Sequence, residues 1–454
     1  MKKIVFVGAG SVVFAKNLLS DLFSYSELRN FFVIRLMDID KERLQVTKKM
    51  AEMMANEKGS NSKIETYLDL ESALKDADYV INTVQIGGKE STYIDFDIPE
   101  KYGLKQTIAD THGIGGMMRF LRTAPFLEEL VKTMEKLCPN ALLLNFTNPM
   151  SMCMWYVNSI SKIKNVGLCH SIPGTIEQIS EYTKVPLEEI NYKVAGINHM
   201  AWVLKIERNG ENLYPLLFRA SEDKSIWEKD AVRFEIMKHF SYFPTESSEH
   251  NAEYVPYFIK DQQLINELKI PIREYISRVE LNEKVYQTYK AYYLEGQENM
   301  KNAGRKMEED YYSKGKQKEV KKEDKNKPHE YAVQIIYALE TGKTSMIYGI
   351  VPNHGMIANL PFESEVEIPC VVDKNGIQPL YVGDLPSQLA ALNMSQIKVQ
   401  ELAVKAAVKK DKKYIHYAAL LDPLASSILS MGKIHDMVEE LIKAHSQYLT
   451  FLKK

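Results

Sequence analysis

The chain has 454 residues, with 60 acidic and 58 basic side chains and a net charge of −2. So even a balance points to no nucleic-acid partner and no membrane surface. A composition of 45% apolar and 26% charged residues excludes a disordered or fibrous chain. The length suits about three ordinary domains or two larger lobes, and a core of that size needs no disulfide support. Four cysteines, Cys138, Cys153, Cys169 and Cys370, are too few and too scattered for a disulfide framework and read as reduced thiols in a cytoplasm. No apolar run approaches the roughly 20 residues of a membrane span. The opening Met-Lys-Lys and the apolar residues after it mimic a signal peptide, but they read better as a strand and turn.

Residues 3–7 form a β-branched run suited to a buried parallel strand, ended by Gly8-Ala9-Gly10-Ser11. A helix is expected over 13–23, a second strand over 32–36 closing in Asp38 and Asp40, and an amphipathic helix over 41–57. Further strands are expected at 79–84, at 141–146 before Thr147-Asn148-Pro149, and at 165–168 before Cys169-His170-Ser171. This alternation predicts an α/β domain over residues 1–190, with a Rossmann-like, doubly wound parallel sheet. Beyond it, strand-like runs at 192–206, 345–351 and 366–372 mix with helices at 227–240, 329–341, 386–408 and 434–451. They predict a second, α+β lobe over 191–454, with the active site in the crevice at the strands' C-terminal ends. Seven lysines against three acids at 314–327 predict a solvated loop.

The turn after the first strand carries chemistry. Gly8 allows a tight turn, Gly10 lets backbone approach a pyrophosphate, and the next helix points its positive end at the anion. Asp38 could hold ribose hydroxyls. It lies 28 residues after Gly10, which predicts a long intervening loop, and Val13 stands where a third glycine is usual. Four further constellations follow strand ends. The glycines of Asp110-Thr111-His112-Gly113-Ile114-Gly115-Gly116 permit a loop lying flat on a ligand. Arg119 and Arg122 share a helix face and could hold hydroxyls, carboxylates or phosphates, or be solvated or ion-paired. The Asn148 amide, before a proline, could bind sugar hydroxyls or a nicotinamide, or form a turn. Cys169 and His199 could hold an open divalent metal site, although spacing alone favours a small buried thiol and a satisfied core histidine. In residues 245–254, Glu249, His250 or Tyr254 could serve as a base. The same stretch reads as a helix start capped by Thr245 or Ser247.

Taken together, these segments resemble glycoside hydrolase family 4, the NAD-dependent glycosidases, over essentially the whole chain. The matching stretches are Phe6 to Ser11, Asp110 to Arg122, Asn145 to Pro149, Cys169-His170-Ser171-Ile172, Gly196-Ile197-Asn198-His199 and Asn375 to Leu380. Cys-His-Ser resembles the α-galactosidase branch, as does the stretch from Thr245 to Tyr254. The resemblance departs at Ile172, where valine is usual, and at His112, which could tune specificity. It implies a lactate/malate dehydrogenase-like fold, with NAD bound by Gly8, Gly10, Ser11 and Asp38. Mn²⁺ would be held by Cys169 and His199, and substrate by Asn148, Asp110 and Arg119. The reaction it implies is oxidation at sugar C3, loss of the C2 proton, elimination and water addition at C1, and return of the hydride. His170 is the implied general acid and Tyr254 the implied base, with Glu249 as the alternative. The implied substrate is a small α-galactoside. The second lobe would carry substrate, metal and oligomer contacts in a homodimer or homotetramer. An α-glucuronidase or α-glucosidase of the same family is the runner-up, followed by a net NAD-dependent dehydrogenase.

Overall fold

The computed structural model describes residues 1–314 and 330–452, so the lysine-rich stretch at 314–327 lies, beyond its first residue, outside the described residues. Strands β1 (Lys2–Val7), β2 (Phe32–Met37), β3 (Lys63–Tyr67), β4 (Tyr79–Asn82), β5 (Leu142–Asn145) and β6 (Asn165–Gly167) alternate with helices. These helices are α1 (Val12–Ser24), α2 (Lys41–Glu57), α3 (Leu70–Leu74), α4 (Gly88–Tyr102), α5 (Gly113–Leu137) and α6 (Met150–Ile160), and α7 (Ser171–Thr183) follows β6. The six strands pair in parallel in the order 3-2-1-4-5-6. That order is the doubly wound dinucleotide-binding arrangement, in which ligands collect at the strands' C-terminal edge. The central strands are apolar on both faces: Ile4, Val5, Val7, Val80 and Ile81 have no exposed surface. A strand covered by helices on both sides needs that pattern.

The sheet continues into the second half of the chain. Strands β7 (Asn191–Ile197), β8 (Met200–Arg208), β9 (Glu211–Asn212), β10 (Ser345–Pro352), β11 (Glu365–Asp373) and β12 (Gly376–Pro379) complete it. Its order runs on from β6 as β10-β11-β7-β8-β9, with β12 beside β11, and all of these pairings are antiparallel. The parallel half and the antiparallel half therefore share twelve strands of one sheet.

Several sequence expectations need correction. The strand at 79–84 is the fourth, because β3 precedes it; its Lys-Ile-Glu-Thr-Tyr sequence is that of a half-exposed edge. The run at 192–206 is two strands of a hairpin, β7 and β8, turning at Asn198-His199, where His199 has a φ of +63°. The helix expected at 227–240 is broken: Lys224–Trp227 and Ala231–Phe240 flank Asp230. Buried Asp230 accepts hydrogen bonds from Arg233, Tyr182 and Ser248, which fixes its backbone outside the helix. The last long helix ends at Ala444 rather than 451. The 27 residues between Gly10 and Asp38 hold α1, a short connection and β2 rather than a long loop. Among the described residues no helix is long and apolar enough to cross a membrane.

Candidate active site

The dinucleotide turn is built as its glycines require. Gly8 has a φ of +85°, and a Cβ there would lie 3.0 Å from the Val84 backbone nitrogen. Asp38 closes onto the same turn: its Oδ2 accepts the Gly10 N–H at 2.7 Å and its Oδ1 accepts the Asp40 N–H at 2.9 Å. The carboxylate braces the turn and still has lone pairs for a ribose hydroxyl. Ser11 precedes α1 and makes no side-chain cap, so its hydroxyl leaves the N–H groups of the helix's first turn uncapped. An anion can take that place. The residues present fit a dinucleotide.

The glycines after Asp110 do a different job from the one expected. Gly115 and Gly116 lie inside α5, where a Cβ would stand 2.6 Å from Ala109 Cβ and 2.5 Å from the Thr111 carbonyl carbon. They admit the loop backbone against the helix rather than laying a loop on a ligand. Glu253 fixes that loop from the other side. Its Oε2 accepts the N–H groups of Thr107 and Ile108 at 2.9 and 3.2 Å, and its Oε1 accepts that of Ala109 at 2.8 Å. Arg122 is withdrawn from any ligand. It forks onto Asp95 at 2.9 and 2.6 Å and reaches His445 Nε2 at 3.2 Å, all buried. Arg119 donates to the Tyr275 hydroxyl at 2.8 Å.

The β7–β8 turn, the end of β6 and the loop before the helix Ser248–Tyr254 bring three donors together. Cys169, His199 and Glu246 offer ligand atoms all within 4.8 Å of one another, as do Asp110, His199 and His250. His199 Nε2 lies 3.5 Å from Glu246 Oε1, while Nδ1 faces the Tyr254 hydroxyl at 3.2 Å. Both His199 and Glu246 hold left-handed backbones, with φ of +63° and +73°. Residues held this way cluster where surroundings over-determine a site. The loop carrying Glu246 is docked on β8, with the Thr245 N–H on the Ala201 carbonyl at 2.9 Å and Val203 on Phe243 at 3.0 Å. Ser247, not Thr245, caps the following helix, accepting the His250 N–H.

Electrostatics support a cation here. Burial pushes the Cys169 thiol up, but the His199 imidazole outweighs it and holds the thiol below its usual range. Burial depresses His199, and the charges of Cys169 and Glu246 more than reverse this, raising it to about 10. A thiolate and a carboxylate converging on one imidazole in a buried pocket are a negative donor set, and thiolate, imidazole and carboxylate together suit a divalent transition metal. The residues fit a metal ion.

The remaining predicted residues are distributed around this centre. Asp110 accepts from Thr111 at 2.8 Å. The buried Asn148 Oδ1 has no hydrogen-bond partner among the described residues, which leaves an acceptor for a ligand. Tyr254 is fully buried, and burial with the charges of Asp110, Glu253 and Glu246 pushes its phenol well above its ordinary range. His170 lies stacked on Phe146 with centroids 6.1 Å apart, its Nε2 2.7 Å from Glu330. Desolvation lowers its pKa, but Glu330 outweighs this and raises it to about 9, so the imidazole carries a proton at neutral pH. Glu249 is not among the groups converging on His199; its carbonyl accepts the Thr107 hydroxyl at 2.7 Å. His112 sits 1% exposed beneath the hairpin, with Nε2 3.1 Å from the Asn198 carbonyl and Nδ1 3.3 Å from Gln400. It braces the turn that carries His199 and packs edge-on against Tyr254, with ring centroids 4.5 Å apart. Glu246 and His250 were not foreseen as metal donors; residues 245–254 signalled only their density of titratable groups.

The sequence model of the family 4 glycosyl hydrolases matches residues 3–185, and that of the family's C-terminal domain matches residues 194–425. The chain is 43% identical to the alpha-galactosidase of Bacillus subtilis (strain 168), over 99% of each chain. Its fold is similar to that of a 6-phospho-alpha-glucosidase from gut microorganisms in complex with NAD and Mn²⁺ (TM-score 0.78, 19% identity, 98% of each chain). It is also similar to malate dehydrogenase from Plasmodium falciparum in complex with NADH (TM-score 0.51, 14% identity, 90% of this chain and 99% of that one).

Proposed function

Because the chain belongs to the family 4 glycosyl hydrolases, we propose that it hydrolyses terminal α-galactosides with the help of NAD and a divalent metal, Mn²⁺. The observation that carries the galactose assignment is the full-length kinship with the Bacillus subtilis alpha-galactosidase. The thiolate–imidazole–carboxylate centre and the dinucleotide turn, both built on one sheet, support the cofactor pair. When bound, NAD⁺ supplies a reversible hydride acceptor and the metal a Lewis acid for charge on a sugar oxygen.

The chain's own residues divide the remaining work. Gly8, Gly10 and Ser11 receive the pyrophosphate, and Asp38 the ribose. Cys169, His199 and Glu246 hold the metal, with Asp110 and His250 at its margin. Asn148 offers its Oδ1, and Arg119 its guanidinium, to sugar hydroxyls. The Tyr254 oxygen takes the C2 proton. Its buried phenol needs the local negative charge of Glu246 and Asp110 offset before it can ionise, which a bound cation does. His170, kept protonated by Glu330, donates to the leaving oxygen at C1. The four free cysteines support a reducing, cytoplasmic setting, where the chain acts as a homodimer or homotetramer.

The test is hydrolysis of p-nitrophenyl α-D-galactoside with reductant, with and without NAD⁺ and Mn²⁺, while NADH absorbance is followed. Release that requires both additives, without NADH build-up, is the expected result. Cleavage of the α-glucoside or α-glucuronide instead overturns the sugar assignment. NADH rising in proportion to substrate overturns the hydrolytic one.

A further inference from the structure

Far along the chain from the catalytic centre, the helices Lys413–Leu421 and Met431–Ala444 pack together. On one face of the second, His435 and Glu439 stand at i, i+4 and so project side by side. His416 of the first helix joins them. The three offer ligand atoms all within 4.8 Å of one another. His416 Nε2 lies 2.8 Å from Glu439 Oε1, and the two imidazoles stack with centroids 4.6 Å apart and planes at 17°.

We propose that His416, His435 and Glu439 form a second metal site, one that takes Zn²⁺ and clips the two helices together. Two imidazoles and a carboxylate are a zinc donor set of the three-ligand kind, which keeps a fourth position for water. Tetrahedral zinc with bonds near 2.0–2.1 Å places its donors about 3.3 Å apart. The His416–Glu439 pair is already near that spacing. The third donor closes by at most about 1.5 Å, which rotation of the His435 side chain supplies, since it is 60% exposed. Nitrogen donors favour zinc over manganese by intrinsic affinity, so the site selects against the ion proposed for the catalytic centre. Two charged neighbours face it. Lys412 Nζ sits 3.2 Å from Glu439 Oε1, and Asp436 lies 3.6 Å from His435 Nδ1. Lys412 is 48% exposed and free to swing into solvent when the cation replaces it.

The test is zinc counting. Full-length protein is stripped with a chelator, equilibrated with Zn²⁺, desalted and assayed for bound zinc. Wild type is expected to hold two equivalents. His435→Ala and Glu439→Gln are each expected to hold one and to keep full NAD- and metal-dependent activity. Cys169→Ser is expected to retain the one equivalent bound by His416, His435 and Glu439. In the Cys169→Ser background, Zn²⁺ is expected to raise the melting temperature, and adding His435→Ala is expected to abolish that rise. Equal zinc in wild type and His435→Ala, or no zinc on Cys169→Ser, overturns the proposal. Melting without zinc separates loss of the site from loss of the fold.

Discussion

Glu253→Ala tests how the catalytic loop is held. One carboxylate accepts three backbone N–H groups, those of Thr107, Ile108 and Ala109, at 2.8 to 3.2 Å. Its removal leaves three buried donors without acceptors, each costing about 1–3 kcal/mol. Water entering the space and relaxation of the loop recover part of that, so the net loss is about 3–5 kcal/mol. Against a total stability of about 5–15 kcal/mol this is large, and with an unfolding entropy of about 2.1 cal/mol/K per residue it lowers the melting temperature of the 454-residue chain by roughly 3–5 °C. Glu253→Gln retains one acceptor oxygen but turns an amide toward N–H groups, so it falls between. Because Asp110 follows the clamped residues directly, both variants should lose glycosidase turnover more steeply than NAD affinity. Thermal unfolding by circular dichroism, with turnover and nucleotide titration on the same samples, measures both effects. A Glu253→Ala protein melting within about 1 °C of wild type, with unchanged turnover, would refute the clamp.

Four further outcomes follow from the structure. Asp95→Asn leaves the buried Arg122 guanidinium without its counter-charge and should cost about 3–5 kcal/mol, read as a fall in melting temperature. Burial raises the Glu365 carboxyl to about 8, so the folded chain holds a proton that the unfolded chain releases near the ordinary value of 4.5. Its contribution is therefore most favourable below the unfolded value and is lost as pH rises toward 8. Glu365→Gln should flatten the fall in melting temperature across that window and be the more stable protein at its upper end. Cys169→Ser should weaken Mn²⁺ binding, measured by electron paramagnetic resonance of the free ion, by at least about tenfold. Thiol oxidation should inactivate the wild type reversibly, with dithiothreitol restoring activity. A serine variant that binds Mn²⁺ as tightly as wild type removes the thiolate from the ligand set.

Where local pattern and tertiary need agree, the sequence was readable. The β1 run, the glycine turn and the helix Lys41–Glu57 were legible because each is apolar, hinged or amphipathic on its own account. The hairpin at Asn198-His199 was not, because both of its strands are apolar and the turn carries neither glycine nor proline. Asp230 broke a helix through partners that lie up to 48 residues away. The site divided the same way. Cys169 and His199 stood out in short motifs, whereas Glu246 is a ligand candidate only because the fold docks its loop on β8. Arg122 looked available beside Arg119, yet its partner His445 lies 323 residues further on. No spacing rule reaches that far.

The shared sheet has a mechanical consequence. Backbone ladders run without interruption from the nucleotide turn at the end of β1 to the hairpin bearing His199, through β4, β5, β6, β10, β11 and β7. The nucleotide turn and the hairpin bearing His199 are therefore two fixtures mounted on one chassis, with rungs about 4.8 Å wide. A substrate that reaches from one fixture to the other meets a ruler rather than a jaw. Loops attached to the sheet can vary in sequence while the ruler stays the same.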